Sequence, residues 1–383
     1  MHILIPALHR PTKPTGVCRH AASLARCLAN TDQVSEITLI IGKWQRDYFS
    51  RVFDLSSPKI KILDVSIKNS SLFRNQWFVF DLPKLANQLQ PDIIHLSFPF
   101  PFIRRWFNTP IVATIHDLYP FECPDNFGYP QVWFNQWFLR QCVEQSDGLS
   151  CVSKITLHGL KTYFPGLSDS RRPVKGHRKP LTVIYNSVDF KSLEAIKPTG
   201  LNLNLAQPYL MSVAQHRKNK NLDLLIRVYA SLRHQNTLSA NTQLVLVGNS
   251  GPETENLVQL IQTLGLQEQV FLLSGLKDCE LRWLYENSNL FVIPSSTEGF
   301  CLPLVEAQAL GCRVVCSDIP IFREVGGPTC HYFDLEKLPE ASLGNAIISA
   351  LTYDWPSQKF VNSAFLETTT STQYLEFYQS IIV

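Results

Sequence analysis

The 383-residue chain is 45% hydrophobic and 17% charged, a globular composition long enough for two domains with separate cores. It has no apolar run of about 18 residues, which argues against a membrane-spanning helix, and Met1-His2-Ile3-Leu4-Ile5-Pro6 lacks the basic leader of a signal peptide. The formal charge of +3 is uneven: residues 1–200 carry 24 Lys and Arg against 15 Asp and Glu, whereas residues 201–383 carry 11 against 17.

Strands and helices alternate from the start. Residues 2–6 read as a buried strand, followed by a helix near 17–30 and strands near 36–41 and 59–64. A helical stretch at 76–89 precedes two apolar runs of strand length, Asp92-Ile93-Ile94-His95-Leu96 and Ile111-Val112-Ala113-Thr114-Ile115. A long aromatic helix near 130–145 comes next, then a strand near 148–152 and a helix that Ser153 can cap. Residues 165–180 break the rhythm with Arg171, Arg172, Lys175, Arg178 and Lys179 among Ser, Gly and Pro, and read as an exposed basic loop. After a strand at 181–185 and a polar linker near 190–206, a second series has strands near 209–213, 243–247, 270–273, 290–293 and 313–316. This alternation predicts α/β architecture with parallel, doubly wound sheets. The expected division is 1–195, 196–360 and a final helical segment 361–383 containing Tyr374, Leu375, Phe377 and Tyr378.

The stretch Ser295-Ser296-Thr297-Glu298-Gly299-Phe300-Cys301-Leu302-Pro303-Leu304-Val305-Glu306 carries the most chemistry. It follows the strand Leu290-Phe291-Val292-Ile293, and Pro303 suits the first position of a helix that Gly311 stops. Backbone N–H groups at such a helix start form an anion site. Glu298 in the loop and Glu306 about one turn into the helix are acceptors for paired hydroxyls. Phosphate on the amides with a diol on the carboxylates describes a nucleotide-sugar; ordinary packing with a solvated Glu306 is the bland alternative.

A second cluster, Ser212-Val213-Ala214-Gln215-His216-Arg217-Lys218-Asn219-Lys220-Asn221, falls at the C-terminal edge of a strand, where open α/β sheets bind ligands. Fixed cations there can neutralise a departing diphosphate. In the first half, Thr114-Ile115-His116-Asp117 puts a histidine at a strand end, and Thr15-Gly16 joins the first strand to the first helix. Gly16 would allow a phosphate or an acceptor to approach the backbone. Val247-Gly248-Asn249-Ser250-Gly251-Pro252 and Leu273-Ser274-Gly275-Leu276 are further strand-end turns.

Glu298 to Glu306 resembles the E-x7-E motif of the retaining glycosyltransferase family 4, which has the GT-B fold. The likeness continues through Cys312-Arg313-Val314-Val315-Cys316-Ser317-Asp318 and Phe322-Arg323-Glu324-Val325-Gly326-Gly327, and Asn186-Ser187-Val188-Asp189 matches the family's Asn-Gly-Val-Asp. The resemblance implies two Rossmann-like domains facing across a cleft, with the C-terminal helix crossing back. It implies that Glu306 binds the ribose, Glu298 the sugar, and Arg217 with Lys220 the diphosphate, with His116 near the sugar carbon under attack. Gly299, Phe300, Cys301 and Leu302 would complete the phosphate site, Leu276 would read the base edge, and Gly16 and Gly248 would shape the donor pocket. Departures from the family pattern are Thr15 and Cys301 for glycine, Ala214-Gln215 for Gly-Arg, Ser187 for glycine and Tyr185 for proline.

The reaction so implied moves a hexose from a UDP- or GDP-sugar to a glycan, lipid-linked or other hydroxyl acceptor, without metal or added cofactor. The alternatives are an epimerase, a phosphorylase or a catalytically silent nucleotide-sugar-binding protein. Absence of D-x-D, G-x-G-x-x-G, G-x-S-x-G and Walker A signatures speaks against metal-dependent GT-A, dinucleotide, hydrolase and NTPase designs. Ten cysteines without C-x-x-C or zinc spacing suggest reduced thiols in a cytoplasmic protein. The basic half suggests a phosphorylated acceptor or peripheral contact with an anionic membrane at its inner face; an uneven solvated surface fits equally well, and no nucleic-acid motif accompanies the charge. The aromatic stretches 73–78 and 98–106 suit a membrane interface or an apolar acceptor tail, with packing against the sheet the preferred reading.

Overall fold

The structure, a computed structural model, describes residues 1–9, 12, 15–124, 128–167, 179–188, 194–199, 204–352 and 362–382. Asp189, Pro14 and the basic residues Arg171, Arg172, Lys175 and Arg178 lie outside this set. The chain divides into two compact units, Met1–Ser187 with Ser363–Val383 and Val188–Asn362.

Unit 1 contains β1 (His2–Pro6), β2 (Glu36–Gly42), β3 (Ile60–Val65), β4 (Ile93–Leu96), β5 (Ile111–Ile115), β6 (Gly148–Cys151) and β7 (Leu181–Val183). Among the described residues these form a seven-stranded sheet in the order β3-β2-β1-β4-β5-β6-β7, with parallel pairings throughout. Ile3, Leu4, Ile5, Ile93, Ile94, Val112 and Ala113 are buried because helices cover both faces, so the strands are continuous apolar runs rather than alternating ones. The helix Lys154–Tyr163 begins where expected: Ser153 Oγ accepts from the Thr156 N–H at 3.0 Å. The stretch 76–89 is less regular than its pattern suggests, with the helices Ser71–Gln76 and Leu82–Leu89 joined by a wide turn, Trp77–Asp81.

The last helix, Glu367–Ile382, belongs to unit 1 and does cross back to it. Its Tyr374, Leu375, Phe377 and Tyr378 enter the core made by β1, β2 and the first helix, Gly16–Ala29. Arg26 and Glu367 pair at its start. Four large side chains buried at roughly 1.5–3 kcal/mol each make this helix part of the fold.

Unit 2 contains β8 (Tyr209–Val213), β9 (Gln243–Val247), β10 (Val270–Leu273), β11 (Leu290–Ile293), β12 (Val314–Ser317) and β13 (Cys330–Phe333). They form a six-stranded parallel sheet in the order β10-β9-β8-β11-β12-β13. Strand β13 was not expected from the sequence; it is an edge strand with half-buried His331 and Tyr332 and so lacks an apolar run. Each sheet reverses its direction of winding once, between β1 and β4 in unit 1 and between β8 and β11 in unit 2. In open α/β sheets ligands bind beyond the strand ends at such a reversal. Among the described residues no helix is long and apolar enough to cross a membrane.

Candidate functional site

The two loops at the unit 2 reversal are fastened together. Asn219 Nδ2 donates to Thr297 O at 3.1 Å, Ser296 N to Asn219 O at 2.8 Å, and Asn221 Nδ2 to Pro294 O at 2.8 Å. Asn221 adopts the left-handed conformation, φ +47°, which asparagine tolerates well, and turns the chain into the helix Leu222–His234. These bonds bring the Lys220 ammonium onto the Glu298 carboxylate in a largely enclosed ion pair. Burial alone would pull the lysine pKa down; the Glu298 charge opposes it and holds Lys220 above its ordinary value. Arg217 lies on the same loop with an exposed side chain.

After Glu298 the chain passes Gly299 and buried Phe300 to Cys301, which stands at φ +72°, ψ 73°, in the left-handed region that favours glycine. The family's usual glycine at this position therefore answers a backbone requirement, which Cys301 meets under strain. Burial, with Glu298 next in effect, raises the Cys301 thiol well above its ordinary pKa, so it stays a neutral thiol. The helix Leu302–Ala309 starts at Leu302, one residue before expected, with Pro303 second; Leu304 N bonds Cys301 O at 3.1 Å.

Glu306 is buried, not solvated, and its Oε2 accepts from Tyr285 OH at 2.9 Å. Tyr285 is the site residue that motif reading missed. It lies 21 positions upstream, and its own burial, followed by the Glu306 charge, keeps its phenol protonated. Gly248 and Gly251 serve close contact between the β8 and β9 loops: a Cβ on Gly248 would lie 1.8 Å from Ala214 O, and one on Gly251 2.3 Å from His216 O. Leu276 follows Gly275 (φ +74°) at the end of β10 and is half-exposed.

In unit 1, His116 follows β5 and its Nε2 donates to Ser97 O at 2.8 Å. That bond fixes the tautomer and leaves Nδ1 as the acceptor; burial lowers the pKa and keeps the ring neutral. His20 meets it edge to face at 4.6 Å and is itself held by Asn186, Nδ1 donating to Oδ1 at 2.8 Å. His20 lies four residues into the helix that Gly16 opens, and motif reading gave it no role. Ser187, in place of the family's glycine, bonds Ser23 through its hydroxyl at 3.1 Å. A Cβ on Gly16 would meet nothing within 4 Å. Gly16 and His116 thus belong to unit 1, and the remaining predicted residues, from Arg217 to Glu306, to unit 2.

Residues 14–192 match the family described as Glycosyltransferase Family 4, and residues 195–352 match Glycosyl transferases group 1. The chain belongs to glycosyltransferase family 4. This glycosyltransferase is 27% identical to the O-antigen chain mannosyltransferase RfbU of Salmonella typhimurium, covering 81% of this chain and 80% of that protein. It is 25% identical to the O-antigen chain mannosyltransferase B of Escherichia coli, over 82% and 81%. Among solved structures, sucrose-phosphate synthase from Thermosynechococcus elongatus superposes with a TM-score of 0.68 at 16% identity, covering 100% of this chain and 94% of that one. HepE of Anabaena, solved with UDP and glucose, gives 0.66 at 18% identity, over 99% and 100%. The fold is GT-B.

Proposed function

We propose that this glycosyltransferase is a retaining, metal-independent hexosyltransferase. It takes its sugar from a UDP- or GDP-linked donor and passes it to a hydroxyl of a glycan or lipid-linked acceptor, as a cytoplasmic enzyme. The observation that carries this reading is the Lys220–Glu298 pair at the β8–β11 reversal. A donor's diphosphate offers Lys220 a second anion, and a sugar hydroxyl offers Glu298 a hydrogen-bond donor. The pair can thus open onto one ligand carrying both groups, and Arg217 adds a second cation.

Glu306, steadied by Tyr285, is suited to accept from a ribose diol. The start of the helix Leu302–Ala309, with Gly299 to Leu302 before it, favours the phosphate charge. When the bond from sugar to diphosphate breaks, negative charge grows on the leaving oxygen beside these groups. A lysine and an arginine can meet that charge without a metal ion. The acceptor oxygen bonds the same sugar carbon on the face the diphosphate leaves, and its proton passes to the departing phosphate. His116, in the other unit, offers neutral Nδ1 as an acceptor for a substrate hydroxyl. The two O-antigen mannosyltransferases among its relatives favour mannose.

Release of nucleoside diphosphate is measured with a panel of UDP- and GDP-sugars, with chelator present, and the product anomer is read by NMR. Turnover with one donor and a retained anomer is expected. An inverted anomer, chelator sensitivity or donor binding without turnover each overturns the corresponding part.

A further inference from the structure

Of the aromatic stretches 73–78 and 98–106, Trp77, Phe78, Phe100 and Phe102 are core, the packing that was the preferred reading, with Phe78 and Phe100 stacked at 3.8 Å. Phe73, Phe98 and the nearby Phe80 remain partly exposed, but the larger exposed group stands elsewhere. The helix Gln131–Gln145 buries Val132, Leu139, Cys142 and Val143, and on its other side Trp133 is 64% exposed, Phe134 53% and Trp137 57%. Tyr129, just before it and 73% exposed, meets Trp133 edge to face at 5.1 Å, and Phe138 sits 5.2 Å from Trp137. Residues at i, i+4 share a helix face, so these rings form one continuous ridge. From Tyr129 to Phe138 the sequence contains no charged residue. Solvated helix faces carry Lys and Glu instead, and a contiguous aromatic patch marks a binding surface.

Ring type and charge say what binds. Trp and Tyr, an apolar body with one polar atom, settle at the water–lipid boundary, where the flanking Gln131, Asn135 and Gln136 also remain hydrated. Residues 1–200 carry nine more cationic than anionic side chains. Arg140 continues the ridge, half-exposed, with its guanidinium 5.3 Å over the Phe164 ring and 3.9 Å from the exposed Glu144 carboxylate. Lys179 donates to Val143 O at 2.7 Å and Glu144 O at 2.9 Å, fastening the C-terminal end of the same helix.

We propose that the Tyr129–Trp133–Phe134–Trp137 ridge is a peripheral docking surface for an anionic bilayer, its rings lying among the headgroups while the cationic excess of residues 1–200 favours the lipid charge. The full chain is centrifuged with phosphatidylcholine vesicles with and without phosphatidylglycerol, in the absence of donor, so the result is separate from the transfer reaction. Wild type is expected to sediment with the phosphatidylglycerol vesicles and to be released by salt, and Trp133→Ser/Trp137→Ser to lose at least about tenfold in partitioning with an unchanged melting temperature. Brominated lipid is expected to quench wild-type tryptophan fluorescence, a readout that needs no variant. Equal partitioning of the variant, or no sedimentation and no quenching of wild type, overturns the proposal. So does a dimer in gel filtration that the variant breaks while vesicle binding is absent, which would assign the ridge to a second copy.

Discussion

Lys220 and Glu298 neutralise each other in a place with little water, so each depends on the other for stability as well as for any part in the reaction. Removing one partner of an enclosed pair strands the other charge, at a typical cost of about 3–5 kcal/mol. Lys220→Ala is therefore expected to cut turnover by more than about tenfold and also to lower the urea midpoint. The double change Lys220→Met/Glu298→Gln removes both charges, so the midpoint should return toward wild type while turnover stays low. Urea unfolding run beside a diphosphate-release assay separates the two effects, and wild-type turnover in Lys220→Ala would end the diphosphate assignment. Cys301 raises a conformational question instead. A side chain at φ +72° costs about 1–2 kcal/mol relative to glycine, against which the thiol gains from burial. Cys301→Gly should hold the melting temperature within a few degrees, whereas Cys301→Val, β-branched at a left-handed position, should lower it clearly. Equal melting of the valine variant would show that the backbone there is not constrained as described.

The turns that end the strands separate glycines kept for packing from glycines kept for something else. A methyl on Gly248 collides with Ala214 O, a backbone atom that cannot step aside, so Gly248→Ala should unfold at markedly lower urea, by several kcal/mol. Gly16→Ala meets open space at the first turn of a helix and should leave stability within about 1 kcal/mol. Any loss of kcat/KM in Gly16→Ala then reports a substrate near that backbone; unchanged kinetics would place Gly16 outside the site. Elements of this kind were largely legible. Strands β1, β4, β5, β8, β9 and β11 are apolar runs because parallel strands are covered on both faces, and the loops after them follow from that pattern. Edge strand β13 was not legible, because its two central residues, His331 and Tyr332, are only half-buried and break the apolar run. The Lys220–Glu298 pair was named residue by residue, but its contact spans 78 positions and depends on β8 lying beside β11, a strand order no local pattern encodes. The helix Gln131–Gln145 was legible as aromatic, but not its exposed side, since its apolar and polar residues are spread around the helix rather than sorted onto separate faces. His20 and Tyr285 were missed for the same reason, each acting through a partner brought close only by folding.

At the scale of the whole molecule, unit 1 folds around histidines that must stay neutral. Burial drives His9 and His95 down to about 3 and His20 well below its ordinary value. His95 is locked between Tyr378 and Thr114, while His9 Nε2 has no hydrogen-bond partner among the described residues. An unfolded histidine takes up its proton near pH 6.5, so between there and about pH 3 the unfolded chain binds protons that the folded chain refuses. Stability is therefore complete above about pH 6.5 and is lost as the pH falls. At pH 5 the loss is about 2 kcal/mol for each of His9 and His95, a large share of the 5–15 kcal/mol typical of a domain. The carboxylates with lowered pKa, Glu36, Asp54, Asp318 and Asp334, act in the same direction, but they are held mainly by surface hydrogen bonds and titrate at lower pH, so they add little above pH 5. The urea midpoint should be flat from about pH 8 to pH 7 and fall steeply toward pH 5. His9→Phe keeps an aromatic ring between Phe98 and Phe100 and removes a proton acceptor, so it should flatten the acid limb while changing the midpoint little at neutral pH. An acid limb of unchanged slope in His9→Phe would mean that His9 takes up its proton without unfolding the chain. The neutrality that makes unit 1 acid-sensitive would then not extend to the ring beside Phe98, where His116 also stands.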